Sequence, residues 1–92
     1  MPVNELLEES RQLGRARAAL LAHDPDHALE LLKSDASRNT ALAQEREALT
    51  IEALAAKPAL RAQATARARA FMKAYPQSPY RARIRAIALE GE

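Results

Sequence analysis

The sequence predicts an all-α protein: five helices that form two antiparallel hairpins and a closing helix. Its composition supports this, because alanine is abundant while glycine occurs twice and Phe, Trp and Tyr make up only 3% of the residues. Prolines mark breaks in the chain, and between them apolar residues recur at helical spacing. A chain of 92 residues is long enough for one domain, here taken as residues 1–92, with one modest core.

The first helix is predicted over about residues 4–22. Asn4 is a suitable N-cap, because its side chain can accept from the free N–H groups of the first turn. A leucine stripe with seven-residue spacing predicts contact with a partner helix. Its members are Leu6, Leu13 and Leu20, with Leu7 and Leu21 beside them.

The segment HDPDH at residues 23–27 concentrates side chains of the metal-ligand type, but it also has the form of a helix start. Asp24 is a preferred capping residue, and Pro25 suits the first helical position, where no N–H is missed. His23 and His27 lie four residues apart, a spacing that metal ligands use on a single helix. The predicted boundary falls between them, so they do not share a helical face. We therefore interpret the segment as a helix boundary and predict no metal site.

The second helix follows, with an apolar face of Ala28, Leu29, Leu31 and Leu32. The polar segment SDASRNT at residues 34–40 predicts a break. Asn39 or Thr40 is then expected to cap a third helix that continues to about Ala56. Its bulk comes from Leu42, Leu49 and Ile51.

Pro58 is predicted to open the fourth helix and Pro76 to end it. One face of this helix is apolar: Leu60, Ala64, Ala68, Phe71 and Tyr75. Ser78 with Pro79 repeats the cap-and-proline arrangement and predicts a fifth helix. That helix is expected to bury Tyr80, Ile84 and Ile87. The predicted units are a first hairpin over about residues 4–37, a second over about 40–75 and a closing helix over about 78–90.

The two hairpins align at a spacing of 36 residues, which pairs Ala28 with Ala64 and Leu32 with Ala68. With this period, with Phe71 and Pro76, and with the ending FMKAYPQSPYRARIRAIAL, nearly the whole chain resembles tetratricopeptide repeats. The YPQSPY segment is similar to repeat ends in bacterial outer-membrane assembly lipoproteins and related envelope proteins.

The resemblance implies a noncatalytic interaction or scaffold module that binds a protein or peptide partner through the first helix of each hairpin. Carried over position by position, the groove comprises Ser10, Leu13, Arg17, Leu20, Arg46, Leu49 and Ala53. Arg17 lies within the leucine stripe, where it faces either a groove or, with its stem packed, the solvent. Free-standing arrays of such repeats usually have three or more, so two repeats favour a homodimer or a place in a larger protein.

Charge is distributed unevenly along the chain and provides an alternative function. Residues 1–56 carry six Lys or Arg and ten Asp or Glu, a net charge of −4, while residues 57–92 carry eight and two, a net charge of +6. An accessory nucleic-acid-binding surface would use the basic residues of the last two helices. We assign Arg61, Arg69, Lys73, Arg81 and Arg85 to this alternative patch, for which the ordinary interpretation is a solvated helix face.

Other classes of function find little support in the sequence. The chain has no cysteine, which excludes disulfides and thiol chemistry, and it has no glycine-rich phosphate loop or serine–histidine pattern. We therefore predict neither an enzyme nor a cofactor. No apolar run reaches the roughly 20 residues that span a bilayer, and the acidic N-terminal sequence is unlike a signal peptide. We expect no membrane insertion, and the compartment, cytoplasm or a soluble domain of an envelope protein, stays open.

Overall fold

The computed structural model describes residues 3–33 and 40–89. Within these ranges the chain forms five α-helices and one 3-10 turn, which confirms the predicted all-α fold. They are α1 (Val3–Leu21), α2 (Pro25–Lys33), α3 (Thr40–Ala55), a 3-10 turn (Pro58–Leu60), α4 (Arg61–Ala74) and α5 (Arg81–Leu89). The predicted polar break, with its candidate cap Asn39, lies outside the described residues except for Thr40, which already belongs to α3.

The boundary between α1 and α2 is made by backbone bonds and one side-chain cap. The N–H of Asp24 donates to the carbonyl of Ala19 at 2.8 Å and that of His23 to Leu20 at 3.0 Å, which is the Schellman pattern of a helix end. His23 has φ 61°, the left-handed conformation that this ending requires. The carboxylate of Asp24 accepts from the N–H of His27 at 3.2 Å, so it caps α2. The interpretation of HDPDH as a helix boundary is confirmed.

Three other predicted helix starts differ in detail. Helix α1 begins at Val3, one residue before the predicted cap Asn4. Pro58 opens a 3-10 turn, and the regular helix begins three residues later at Arg61. Helix α5 begins at Arg81, after a turn in which the Ser78 hydroxyl accepts from the N–H of Tyr80 at 3.2 Å.

The helices form two layers. Each helix packs against the next along the chain, and α3 also packs against α1 and α5, whereas the backbones of α2 and α4 do not approach each other in the described structure. Helices α1, α3 and α5 therefore form one layer, and α2 and α4 form the other. This is the packing of consecutive antiparallel hairpins, and it makes α3 the central helix.

The core consists of two clusters that meet at α3. Leu49 and Ala53 of α3 belong to a cluster with α1 and α2, which also contains Leu13, Ala16, Ala19, Ala28 and Leu32. Ala48 and Ile51 of α3 belong to a cluster with α4 and α5, which also contains Ala68, Phe71, Ile84 and Ala88. Because α3 is apolar on two sides, it holds both hairpins together. Ala64 is also fully buried, and Tyr80 and Ile87 pack at the edge of the second cluster, which places the closing helix where the sequence predicts it.

Candidate functional site

Three of the predicted groove residues lie in the core. Leu13 and Leu49 are each 1% exposed, and Ala53 is fully buried. All three belong to the cluster between α1, α2 and α3. These three side chains are buried and offer no open surface to a partner in this structure. Their place in the core comes from the packing of α1 and α2 on α3.

Arg46 is also a structural residue in this fold. Its guanidinium donates to the carbonyl of Leu32 near the end of α2 and to the carboxylate of Glu9 on α1 at 3.3 Å. The side chains of Arg46 and Glu9 are only 13% and 9% exposed. The Nε of Arg46 is buried without a hydrogen-bond partner. Arg46 therefore joins three helices just beneath the surface.

The remaining groove residues lie at the edge of α1. Ser10 is exposed, while Leu20 is half-buried against the first core cluster. Arg17 forms an ion pair with Glu45 of α3, and its side chain is 51% exposed. Of the two alternatives for Arg17, the structure supports a half-exposed side chain with a charge partner on the neighbouring helix.

The structure exposes a face of α1 that the sequence analysis missed. Leu7 and Leu21 are 48% and 78% exposed, so they do not belong to the buried leucine stripe as predicted. Gly14 lies midway between them, and a Cβ built on it would have no neighbouring atom within 4 Å. Seven residues are nearly two helical turns, so Leu7, Gly14 and Leu21 fall on one line along α1. Ser10 lies beside this line, four residues before Gly14. We call these four residues the α1 face.

Acidic side chains of α3 neutralise cations on three other helices. Glu45 pairs with Arg17 of α1. Glu47 accepts two hydrogen bonds from Arg67 of α4, at 2.9 and 2.6 Å. Glu52 accepts one from Arg83 of α5 at 2.6 Å. The hydrogen bond to Glu47 raises the pKa of Arg67 above its usual range, with the opposite charge adding to the shift and burial opposing it. These pairs cross between helices, so they fix the helices in register.

A cleft of about 410 Å³ lies between α2 and α4, with α3 as its floor. Its lining includes Leu29, Leu54, Leu60, Thr50 and Gln63. Arg46 and Arg67 also line it, but both guanidinium groups already have carboxylate partners. Lys33, in the last turn of α2, is exposed and lines the cleft as well.

The alternative basic patch is exposed throughout. Its members Arg61, Arg69, Lys73, Arg81 and Arg85 all lie at the surface. Arg61 donates to the carbonyl of Ala55 and Arg69 to that of Ala88, both at 3.3 Å. The aromatic side chains are packed inward: Phe71 is buried, and Tyr75 and Tyr80 are half-buried against the second core cluster. The ring of Tyr80 is also covered in part by the guanidinium of Arg83, which lies 5.9 Å from its centroid.

The part of the chain that the structure describes contains neither a cluster of metal-ligand side chains nor a membrane-spanning helix. Within residues 3–33 and 40–89, no three His, Asp or Glu side chains are grouped as metal ligands would be. None of the helices there combines the length and the apolar character needed to cross a bilayer.

Comparison of the chain with protein-family models, with curated proteins and with solved structures finds no match.

Proposed function

We propose that this chain is a noncatalytic protein-interaction module of the tetratricopeptide type, and that it holds its partner against the α1 face. The observation that carries this proposal is the exposure of Leu7 and Leu21 on either side of Gly14. Two exposed leucines in line on one helix are costly in water and gain when a partner covers them.

The size of that gain is set by the exposed area. Fully burying a leucine side chain is worth about 1.5–3 kcal/mol. Leu21 keeps most of its surface and Leu7 about half, at 78% and 48%, so together they offer roughly 3 kcal/mol on burial. The two leucines are 14 residues apart, or about 21 Å along the helix axis. A partner helix of four turns matches that length.

Gly14 supports a close backbone contact on this face. Glycine in the interior of an exposed helix is unfavourable by about 1 kcal/mol relative to alanine, and no described atom fills the space above it. A residue that weakens its own helix without a packing role in the fold is explained by an approaching partner backbone. Ser10, one turn away, adds a hydroxyl to the same contact.

The layer arrangement supports the tetratricopeptide comparison. In those repeats the first helix of each pair faces the ligand, and α1, α3 and α5 are the corresponding helices here. Their ion pairs Arg17–Glu45 and Arg83–Glu52 tie the layer together and leave these four charges neutralised. Such a layer is a rigid support for an apolar contact rather than a second charged site.

The test is capture of a partner by the tagged, intact chain from an extract of the source cells, followed by mass spectrometry. Leu7→Glu with Leu21→Glu should abolish capture of the proteins that wild type retains. The matched control is Ala62→Glu with Ala66→Glu, two exposed positions four apart on α4. Equal helicity and thermal midpoints among the variants establish that folding is unchanged.

The partner is either a different protein or a second copy of this chain, and sedimentation distinguishes them. If it is a second copy, wild type sediments as a dimer and the double leucine variant as a monomer. The proposal is overturned if the leucine variant captures the same proteins as wild type and sediments identically.

A further inference from the structure

The cations of α4 and α5 differ in their partners. Arg67 and Arg83 are neutralised by Glu47 and Glu52 of the central helix. By contrast, Lys73, Arg81 and Arg85 are exposed, and their side chains have no hydrogen bond or ion pair among the described residues. Together with Arg61 and Arg69, each of which donates to a backbone carbonyl, these three side chains carry the exposed positive charge of α4 and α5.

Helix geometry places these three on the side of the α4/α5 hairpin that faces away from α3. Arg81 and Arg85 each lie two residues from Arg83, about 200° around the helix from the side chain that meets α3. Lys73 lies two residues after the buried Phe71 and so points about 200° away from the core. Lys73 is in the last turn of α4 and Arg81 begins α5, so both lie at the same end of the hairpin.

The local sequence of α5 makes this concentration of charge unfavourable within the fold. No acidic residue occurs in its first turn, where the helix dipole favours negative charge. Arg81 and Arg85 instead lie four residues apart on one face of the helix, where two like charges repel, and neither has an acidic partner among the described residues. Negative charge from another molecule would relieve this repulsion.

An apolar side chain continues the same strip. Leu89 lies four residues after Arg85 and eight after Arg81, and it is 49% exposed. Repeats of four residues keep these three side chains on adjoining positions of one helix face. We call Arg81, Arg85 and Leu89 the α5 strip; Lys73 lies at the end of the hairpin where this strip begins.

We infer that the α5 strip docks an acidic amphipathic helix of a protein partner. Carboxylates four residues apart on such a helix match the spacing of Arg81 and Arg85, and each guanidinium can hold a carboxylate through two hydrogen bonds. An apolar residue one turn further on covers Leu89. A nucleic-acid backbone supplies the negative charge but no apolar group for Leu89. This surface lies on α5 and does not depend on the α1 face.

The test measures binding of labelled synthetic probes to the intact chain by fluorescence anisotropy. The first probe is an amphipathic helical peptide of Glu, Leu and Ala with its glutamates four apart. The second replaces each Glu by Lys, the third is a peptide of glutamate alone, and the fourth is a short DNA duplex. We expect the first probe to bind tightest, and its affinity to fall between about 50 and 200 mM salt because the ion pairs are exposed.

The decisive variant is Arg81→Glu with Arg85→Glu, which should weaken binding of the first probe at least about tenfold. The control is Arg11→Glu with Arg15→Glu on α1, which reverses two exposed arginines at the same spacing and changes the net charge equally. Leu89→Ser should weaken the amphipathic probe but leave binding of polyglutamate unchanged. Circular dichroism of each variant separates lost binding from lost folding.

Three outcomes would overturn this inference. Equal weakening by the α1 control would reduce the effect to net charge. Tighter binding of the DNA duplex, abolished by the Arg81 and Arg85 reversals, would make the surface a nucleic-acid site. Absence of binding by the acidic amphipathic probe at low salt would leave the strip as an ordinary solvated surface.

Discussion

Replacing Gly14 by alanine should stabilise the fold, although it adds only one methyl group. Gly14 lies in the middle of α1 and is exposed, and the added Cβ meets no neighbouring atom within 4 Å. Nothing in the described structure therefore opposes the normal preference of a helix for alanine. That preference is worth about 0.8–1.0 kcal/mol in an exposed helix interior, mostly because glycine loses more backbone entropy on folding.

A change of this size is measurable in a domain this small. For a chain of 60–100 residues, 1 kcal/mol shifts the thermal midpoint by about 4–8 °C. Urea unfolding followed by circular dichroism should show a higher midpoint with an unchanged slope. The reciprocal change, Ala18→Gly at another exposed position of α1, should lower the free energy of unfolding by a similar amount. Measurement at two protein concentrations removes any contribution from association.

The functional half of this prediction concerns the α1 face. Gly14→Leu retains good helix propensity but places a bulky side chain where the partner backbone is expected. It should therefore gain stability and lose partner capture, whereas most single substitutions lower stability. If Gly14→Ala leaves the free energy of unfolding unchanged or lowers it, the argument that this face is open and unstrained is refuted.

Two further predictions concern the helix ends. His23→Gly should raise the free energy of unfolding by about 0.5–1 kcal/mol, because glycine adopts the left-handed conformation without the steric cost of a side chain. Asp24→Ala should lower the free energy of unfolding by about 1 kcal/mol, because the cap of α2 is lost. Urea unfolding checks both, and a His23→Val variant as stable as His23→Gly would contradict the first. Arg46→Ala should cost about 3 kcal/mol, because it strands the buried carboxylate of Glu9 and leaves the carbonyl of Leu32 without its donor. A loss below about 1 kcal/mol in the same assay would mean that Glu9 finds water instead.

The helices could be predicted from the sequence because their signals are local. Capping at Asp24, proline at helix starts and apolar spacing act within a few residues, and they locate the helices to within about three residues. The boundary errors have local causes too, since Pro58 tolerates either a 3-10 turn or an α-helix at a first turn.

The candidate site was predictable only in part, because it depends on which helices meet. Leu20 and Leu21 differ by about 100° around the helix, and the packing decides that Leu21 is the more exposed of the two. The seven-residue spacing of Leu7, Gly14 and Leu21 was the available signal. Arg46 could not be predicted for another reason: its partner Glu9 lies 37 residues away, and nothing in the sequence near Arg46 indicates that pairing.

The central helix explains why the two proposed surfaces are at different places on the fold. Helix α3 is apolar on two sides, and its carboxylates Glu45, Glu47 and Glu52 are paired with cations from α1, α4 and α5. It therefore has few free groups with which to bind anything. Unsatisfied surface remains on the two outer helices of its layer: apolar on α1, basic with one leucine on α5. Contacts that differ this much in chemistry select different partners. If both proposals hold, this small fold joins two different partners through a rigid centre, which is the property of a scaffold.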